Sequence, residues 1–306
     1  MRNFFLSKSH SNNVVFSRGL EQKIQKLKQI FSGKKVIVAF SGGIDSTLLL
    51  LSAMKYSQKI IPVFFYGPIF TKEELNRASE FCKILKIQLE IMDHNPLDQP
   101  DFRANPKNRC YFCKKYIMNA LMQVQKEVMY DIIIEGTNSS DLNSSRPGYQ
   151  ALQEMGILSP FVLSDFTKSD IKDMIKFIID DPSWIIDPLS SISPLDLSDF
   201  LKKLIVQPSN PCLCSRIDYG IEITEERLIQ IFEAEQYLQN SFNLRTLRVR
   251  LHDHNLARIE IPQFQIINIL TAEAINEITH TLKKIGFSFV TLDLEGFRSG
   301  SMDQNQ

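Results

Sequence analysis

Residues Val36 to Leu51 read VIVAFSGGIDSTLLLL. Val36 to Ala39 is the pattern of a short buried strand. Phe40 and Ser41-Gly42-Gly43 form a tight turn, and Ile44-Asp45-Ser46-Thr47 opens a helix that continues through Leu48 to Leu51. Two glycines let the backbone approach a ligand with no Cβ in the way. The first amides of the helix have no intrahelical partner, so they point at whatever occupies the turn, which makes an anion site. Ser41, Ser46 and Thr47 add hydroxyl donors. Asp45 is the unusual member, because a pure phosphate cradle has no use for a carboxylate unless a metal or a second role is involved. The stretch matches neither the loop ending in Gly-Lys-Ser/Thr nor GxGxxG.

Outward from this junction the chain alternates strand and helix. Arg18 to Phe31 has helical spacing at Leu20, Ile24, Leu27 and Ile30, and Lys59 to Phe65 is a second strand. Residues 71–86 form a surface helix, Ile87 to Met92 a third strand, Cys110 to Glu127 a helix and Tyr130 to Glu135 a fourth strand. This rhythm predicts an α/β fold: a doubly wound, mostly parallel sheet covered on both faces. Residues 93–110 are polar with three prolines and read as a loop, the kind of segment that carries function at strand ends. A further loop spans Asp141 to Gly148, and Ala151 to Met155 is a short helix. Thr167 heads a helix with Asp170 in a capping-box position. Residues 180–211 read as loop around a short helix from about Leu197.

A second, smaller unit follows. Thr224 to Leu238 is a helix, Leu244 to Leu251 and Asn255 to Ile261 alternate as half-buried strands, Thr271 to Gly286 is a helix and Phe289 to Leu292 a last strand. The expected organisation is an N-terminal arm (1–17), a nucleotide-binding domain (18–205) and a C-terminal α+β domain (206–306) for substrate and oligomerisation.

The chain has 306 residues with 35 Lys+Arg against 35 Asp+Glu, so no basic excess advertises a nucleic-acid surface. No stretch reaches the roughly 18 continuous apolar residues of a membrane span. The first residues, MRNFFLSKSHSNN, turn polar where a secretory apolar region would continue, so a cytoplasmic protein is expected. The five cysteines are Cys82, Cys110, Cys113, Cys212 and Cys214. An odd number in a reducing compartment argues for metal or sulfur chemistry rather than a disulfide framework. Cys110 and Cys113 form a C-x-x-C at a helix start, which suits a redox pair or half a zinc site. Cys212-Leu213-Cys214 lies in a loop before Arg216. Three thiolates around an iron–sulfur cluster is the alternative geometry. Cys82 reads as buried packing.

The order strand, SGGxDS, helix resembles the pyrophosphate loop (PP-loop) of the ATP pyrophosphatase superfamily. Together with NPKNRCYFCK (105–114), EGTNSSDLNSSRPG (135–148), SPF (159–161), TKSDI (167–171), CLCSRIDYG (212–220), ITEERL (223–228) and LRVRLHDHNLARIEI (247–261), it resembles the LarE family. These are ATP-dependent sulfur transferases of nickel-pincer nucleotide synthesis, with an adenine nucleotide alpha hydrolase-like fold. The resemblance implies adenylation of a carboxylate of pyridinium-3,5-biscarboxylic acid mononucleotide, then sulfur transfer to a thiocarboxylate. One branch of the family sacrifices the sulfur of a cysteine that corresponds to Cys212. The other is thought to carry an extra sulfide on a [4Fe-4S] cluster, and Cys110, Cys113 and Cys212 are the expected ligands.

Under this resemblance Ser41, Gly42, Gly43, Ser46 and Thr47, at the end of the strand closed by Ala39, hold phosphates of ATP, and Asp45 places Mg²⁺ or the loop. Gly136, Thr137 and Asn138 bind a ribose or a substrate carboxylate. Arg146 and Arg216 are expected as exposed-loop arginines for an anionic mononucleotide. Arg248 and Arg250 share a strand face, as a second phosphate grip or a solvated surface. Glu226 is a candidate base or a plain first-turn residue. Partners expected are the small anionic nucleotide, a second copy of the chain in a homo-oligomer, and a nickel-inserting enzyme that receives the product. Cluster-dependent tRNA thiolation is the alternative activity.

Overall fold

Strands β1 (Lys35–Ala39), β2 (Lys59–Tyr66), β3 (Glu90–Asp93) and β4 (Ile132–Ile134) lie parallel in the order β3-β2-β1-β4. The computed structural model describes residues 17–143, 147–186, 191–207, 211–244, 246–298 and 300–302. The arm expected over residues 1–17 lies outside these, apart from Ser17, whose hydroxyl caps the first helix. Parallel neighbours need crossovers, and the helices supply them. In chain order the helices are α1 (Arg18–Phe31), α2 (Ile44–Tyr56), α3 (Lys72–Ile84), the single turn α4 (Pro100–Arg103), α5 (Arg109–Val128), α6 (Pro147–Glu154), the single turn α7 (Pro160–Leu163), α8 (Lys168–Asp180) and α9 (Pro194–Ile205), and α2 to α5 lie between the strands.

The two-residue period of β1 explains the layering. Val36 and Val38 face a core with Leu27 and Phe31 of α1, Leu48 to Leu51 of α2, Phe81 of α3, Ile175 of α8 and Leu201 of α9. Ile37 faces the other way, onto Val63, Phe65, and Met118 and Leu121 of α5. The sheet is thus covered on both faces. The order in which strands are laid down reverses at β1, with β2 and then β3 on one side and β4 on the other. Such a point opens a ligand crevice beyond the carboxyl ends of the strands, which is where the Ser41–Gly43 turn stands.

The second sheet contains β5 (Arg248–His252), β6 (Leu256–Glu260) and β7 (Phe289–Leu292); β5 and β6 are antiparallel, β6 and β7 parallel. Helices α10 (Glu225–Phe242), α11 (Gln263–Ile269) and α12 (Ala272–Ile285) accompany it. Its core joins Leu228, Ile231 and Leu238 to Val249, Ile259 and Leu282, and it also takes in Ile69, Leu97 and Phe102. Among the described residues no helix is long and apolar enough to cross a membrane.

Several boundaries differ from the sequence reading. The third strand begins at Glu90, not Ile87, because Leu85 ends α3 and Lys86 turns the chain with φ 56°. The expected loop 93–110 contains the turn Pro96–Asp98 and α4, each started by a proline at its first position, where the missing N–H costs nothing. Helix α10 runs on to Phe242, so β5 starts only at Arg248. Helix α11 has no counterpart in the sequence reading. Cys82 is buried in the core as expected, and burial pushes its thiol up to about 12.

Candidate active site

The Ser41–Thr47 turn is held by its own hydroxyls. Ser41 and Ser46 hydroxyls lie 3.0 Å apart, and Ser46 Oγ donates to the Gly43 carbonyl at 3.0 Å. Gly42 has φ 69°, and a Cβ there would stand 3.3 Å from Ala78 of α3. Gly43 caps α2 with no side-chain bond, which leaves the first amides of the helix open to the turn. The Thr47 hydroxyl is buried and has no hydrogen-bond partner among the described residues. Two residues not foreseen from sequence brace this turn. Arg77 Nε donates to the Gly42 carbonyl at 2.9 Å, and Lys168 at the start of α8 is ion-paired with Asp45. In the sequence Lys168 stands beside the Thr167 capping box and inside the TKSDI stretch, neither of which singles it out as a partner of Asp45.

The end of β4 abuts the same turn: a Cβ on Gly136 would lie 3.2 Å from the Ser46 amide. Glu135 is buried and accepts from Ser159 Oγ at 2.6 Å, and from the amide and hydroxyl of Thr137 at 3.0 and 2.9 Å. Lys114, next in sequence to Cys113, reaches Glu135 Oε2 at 3.5 Å. These bonds and those of Asn138 show what the residues expected at a ribose or carboxylate already hold. The Thr137 hydroxyl is engaged by Glu135. The Asn138 side chain is fully buried, donating to Asp141 at 2.9 Å and accepting from the Ser140 amide at 3.0 Å. Such an Asx turn shapes the loop after the strand.

The two cysteine pairs meet beyond Lys114. Cys110 and Cys113 sit on the first turn of α5, and Cys212 heads the turn Leu213–Arg216. Cys110 and Cys212 are exposed, Cys214 is buried. The Cys212 thiol is lowered to about 7 by a hydrogen bond from Cys214, with the positive charges of Arg109 and Arg216 nearby. The Cys214 thiol is raised by the same contact and by burial. Burial, then the neighbouring Cys212, pushes Cys113 up to about 12. Cys113 thus feels both Cys110 and Cys212, and Cys214 feels both Cys212 and Cys113. Among the described residues, though, no three His, Cys, Asp or Glu side chains are gathered tightly enough to hold a single metal ion. The expected ligands Cys110, Cys113 and Cys212 are neighbours, but not a preassembled ion site.

The arginines differ most from expectation. Arg216 is fully buried, not an exposed-loop residue. Its guanidinium donates to both Glu235 oxygens at 3.1 and 3.3 Å, to the Cys212 carbonyl at 3.1 Å and to the Pro211 carbonyl. It holds the cysteine turn to α10 and does not await a substrate. Arg248 and Arg250 do share a face, but both are buried, so the solvated-surface reading is overturned. Arg250 pairs with Glu260 at 2.9 Å and donates to the Ser215 carbonyl at 3.1 Å. The Arg248 guanidinium lies 5.3 Å from the Phe297 ring; burial, then the charge of Arg216, lowers it to about 10. Glu226 is exposed on the first turn of α10. Backbone and Thr224 hydrogen bonds hold its carboxyl low, as for a helix-start residue rather than a base. Arg146 lies outside the described residues.

Comparison with known proteins bears on this arrangement. The family described as queuosine biosynthesis protein QueC matches residues 35–108, the segment of the glycine turn. An uncharacterized protein of Synechocystis is 34% identical over 93% of this chain and 98% of its own length. An uncharacterized protein of Methanocaldococcus jannaschii is 30% identical over 94% of the chain and all of its own length. The pyridinium-3,5-bisthiocarboxylic acid mononucleotide synthase of Lactiplantibacillus plantarum is 30% identical over 88% of the chain and 89% of its own length. The chain belongs to the LarE family. It is an ATP-using, nucleotide-modifying enzyme of PP-loop type. In this LarE homologue the glycine turn and the first cysteine pair stand at opposite ends of one path of contacts: Ser46, Gly136, Glu135, Lys114, Cys113.

Proposed function

We propose that the protein activates a carboxylate of a pyridinium dicarboxylate mononucleotide with ATP and converts it to a thiocarboxylate for nickel-pincer cofactor synthesis. The observation that carries this reading is the short path from the phosphate turn to the thiols. One Lys114–Glu135 ion pair and one glycine contact separate them. This connection puts the turn that would form the acyl-adenylate and the thiols that would supply sulfur on one continuous stretch of structure.

In the first half-reaction the carboxylate oxygen attacks the α phosphorus of ATP and pyrophosphate leaves. The open amides of α2 and the Ser41 and Ser46 hydroxyls bind the departing phosphates, which is where charge develops. Asp45 fits a Mg²⁺ ion by chemistry, being a carboxylate beside the phosphate turn, and the ion would neutralise phosphate charge there. In the second half-reaction sulfur displaces AMP from the acyl group.

Cys110, Cys113 and Cys212 would hold a [4Fe-4S] cluster. Soft thiolates are its natural ligands, and a cluster takes each through a separate iron, so the sulfurs need not converge on one point. Such a cluster supplies a labile sulfide. The chain's own residues prepare the site: Arg216 fixes the Cys212 turn, and Cys214 donates to the Cys212 thiol.

A second reading is favoured by the exposed, acidic thiol of Cys212. Its thiolate attacks the acyl-adenylate, AMP leaves, and elimination breaks the Cys212 Cβ–S bond. The products are the thiocarboxylate and a dehydroalanine in the chain. Under either reading the protein works in the cytoplasm, hands its product to a nickel-inserting enzyme and forms a homo-oligomer. Exposed Phe264, Ile267 and Leu294 offer an apolar face for self-association.

Anaerobic purification with iron and sulfide analysis, then intact mass before and after ATP, Mg²⁺ and the dicarboxylate nucleotide, tests the proposal. Thiocarboxylate formed repeatedly by an iron-bearing chain of constant mass supports the cluster. Loss of one H₂S per chain makes Cys212 the donor. No pyrophosphate release with this nucleotide rejects both.

A further inference from the structure

Asn105 is fully buried and holds a left-handed backbone conformation, φ 54°. It stands just before α5, the helix that carries Cys110 and Cys113. Its Nδ2 donates to the carbonyls of Asp218 at 2.8 Å and Ile221 at 3.0 Å, in the segment just after Cys212 and Cys214. Its own carbonyl accepts from the Gly220 amide at 3.0 Å, and the Arg103 carbonyl accepts from Ile223 at 2.8 Å. Asn105 Oδ1 accepts from Arg109 Nη1 at 3.0 Å, and the Arg109 guanidinium lies 4.5 Å from the centroid of the Tyr219 ring. Every bond joins the chain before one cysteine pair to the chain after the other, or braces a residue that does. A buried, satisfied polar network selects one arrangement, because each broken bond strands a desolvated partner.

We propose that Asn105, Arg109 and Tyr219 form a positioning clamp that holds the Cys110/Cys113 helix start against the Cys212/Cys214 turn, so that two sequence-distant cysteine pairs act as one thiol site. The inference rests on the sulfur-transfer reading only for what the thiols then do. Arg109 and Tyr219 are positioning residues, and they act through the geometry of the sulfurs.

The test uses full-length, metal-free protein under anaerobic conditions, treated with dibromobimane, which bridges neighbouring thiols, and mapped by peptide mass spectrometry. Wild-type protein is expected to give bridges from Cys110 or Cys113 to Cys212. Arg109→Gln and Tyr219→Leu should lower the ratio of these bridges to Cys110–Cys113 bridges about tenfold. Bridging within α5 should persist and buried Cys82 should stay unlabelled, which general loosening would not allow. If Arg109→Gln exposes Cys82 and so fails to fold, Tyr219→Leu carries the test. A wild-type ratio in the folded variants overturns the clamp, and so does wild-type protein without bridges between the two pairs. Wild-type protein that bridges, yet releases no pyrophosphate from ATP with the dicarboxylate nucleotide, sinks the functional reading and leaves the clamp standing.

Discussion

The Lys168 ammonium, at the first position of α8, is ion-paired with the Asp45 carboxylate in the first turn of α2. The carboxylate suits the positive end of α2 but opposes the phosphates that the same amides attract. Lys168 cancels that opposition. A divalent cation taken up at Asp45 with ATP, as proposed, would compete with Lys168 and free the ammonium for the phosphates. Lys168→Met is therefore expected to slow pyrophosphate release roughly ten- to hundredfold. It should also strengthen the apparent affinity for Mg²⁺, since the competing cation is gone. Steady-state pyrophosphate release across a Mg²⁺ titration measures both; an unchanged rate would remove Lys168 from the reaction.

Gly42 combines a positive φ with contact to α3. Gly42→Ala adds a Cβ in the left-handed region, a cost of about 1–2 kcal/mol, and presses that methyl on Ala78. The Gly42 carbonyl that Arg77 holds must shift as well. Urea unfolding should show the loss, and ATP affinity should fall with it. Gly33→Ala is the control. It shares a positive φ, at 71°, but has nothing within 4 Å of the added methyl, so it should lose stability without losing ATP affinity.

The strand–turn–helix of residues 36–51 was readable because local rules act in concert there: an apolar strand, a glycine turn and a helix with apolar continuation. The buried state of Arg216, Arg248 and Arg250 was not readable. Arginine in a polar loop or an alternating strand looks the same whether its partner is water or a distant glutamate. Glu235 and Glu260 become those partners only when α10 and β6 pack against the cysteine turn. Helix α11 escaped notice because Phe264 and Ile267 leave an apolar face uncovered. The meeting of the two cysteine pairs depends on Asn105, whose amide contacts lie more than a hundred residues away in sequence. His94 was equally silent. It is buried beside Phe65, Phe70 and Tyr116, its Nε2 has no hydrogen-bond partner among the described residues, and burial lowers it to about 4.

The thiols differ in acidity, which gives a pH signature. Cys212 is lowered to about 7, so its thiolate fraction rises as pH rises through neutrality. Cys113 is pushed up to about 12 and stays protonated across the same range. Brief alkylation by iodoacetamide, followed by peptide mass spectrometry, should therefore label Cys212 with a midpoint near pH 7 while Cys113 reacts far more slowly. Cys214→Ala removes the hydrogen bond to the Cys212 sulfur and should move that midpoint upward. A midpoint unmoved by Cys214→Ala would show that the arginine charges alone set it.

Arg216 and Glu235 form a buried, two-bond ion pair, and Glu235 also accepts from the Val249 amide at 3.0 Å. Removing one charge strands the other in the interior, a cost of about 3–5 kcal/mol. Arg216→Met should destabilise the protein by that order in urea unfolding. Arg216→Met with Glu235→Gln removes both charges and keeps an acceptor for Val249, so most of the stability should return. Sulfur transfer should not return with it, because the Cys212 and Pro211 carbonyls still lack the donor that shapes their turn. A double variant that regains both stability and thiocarboxylate formation would reduce Arg216 to a buried counter-ion. One that regains stability alone identifies it as the residue that sets the Cys212 turn.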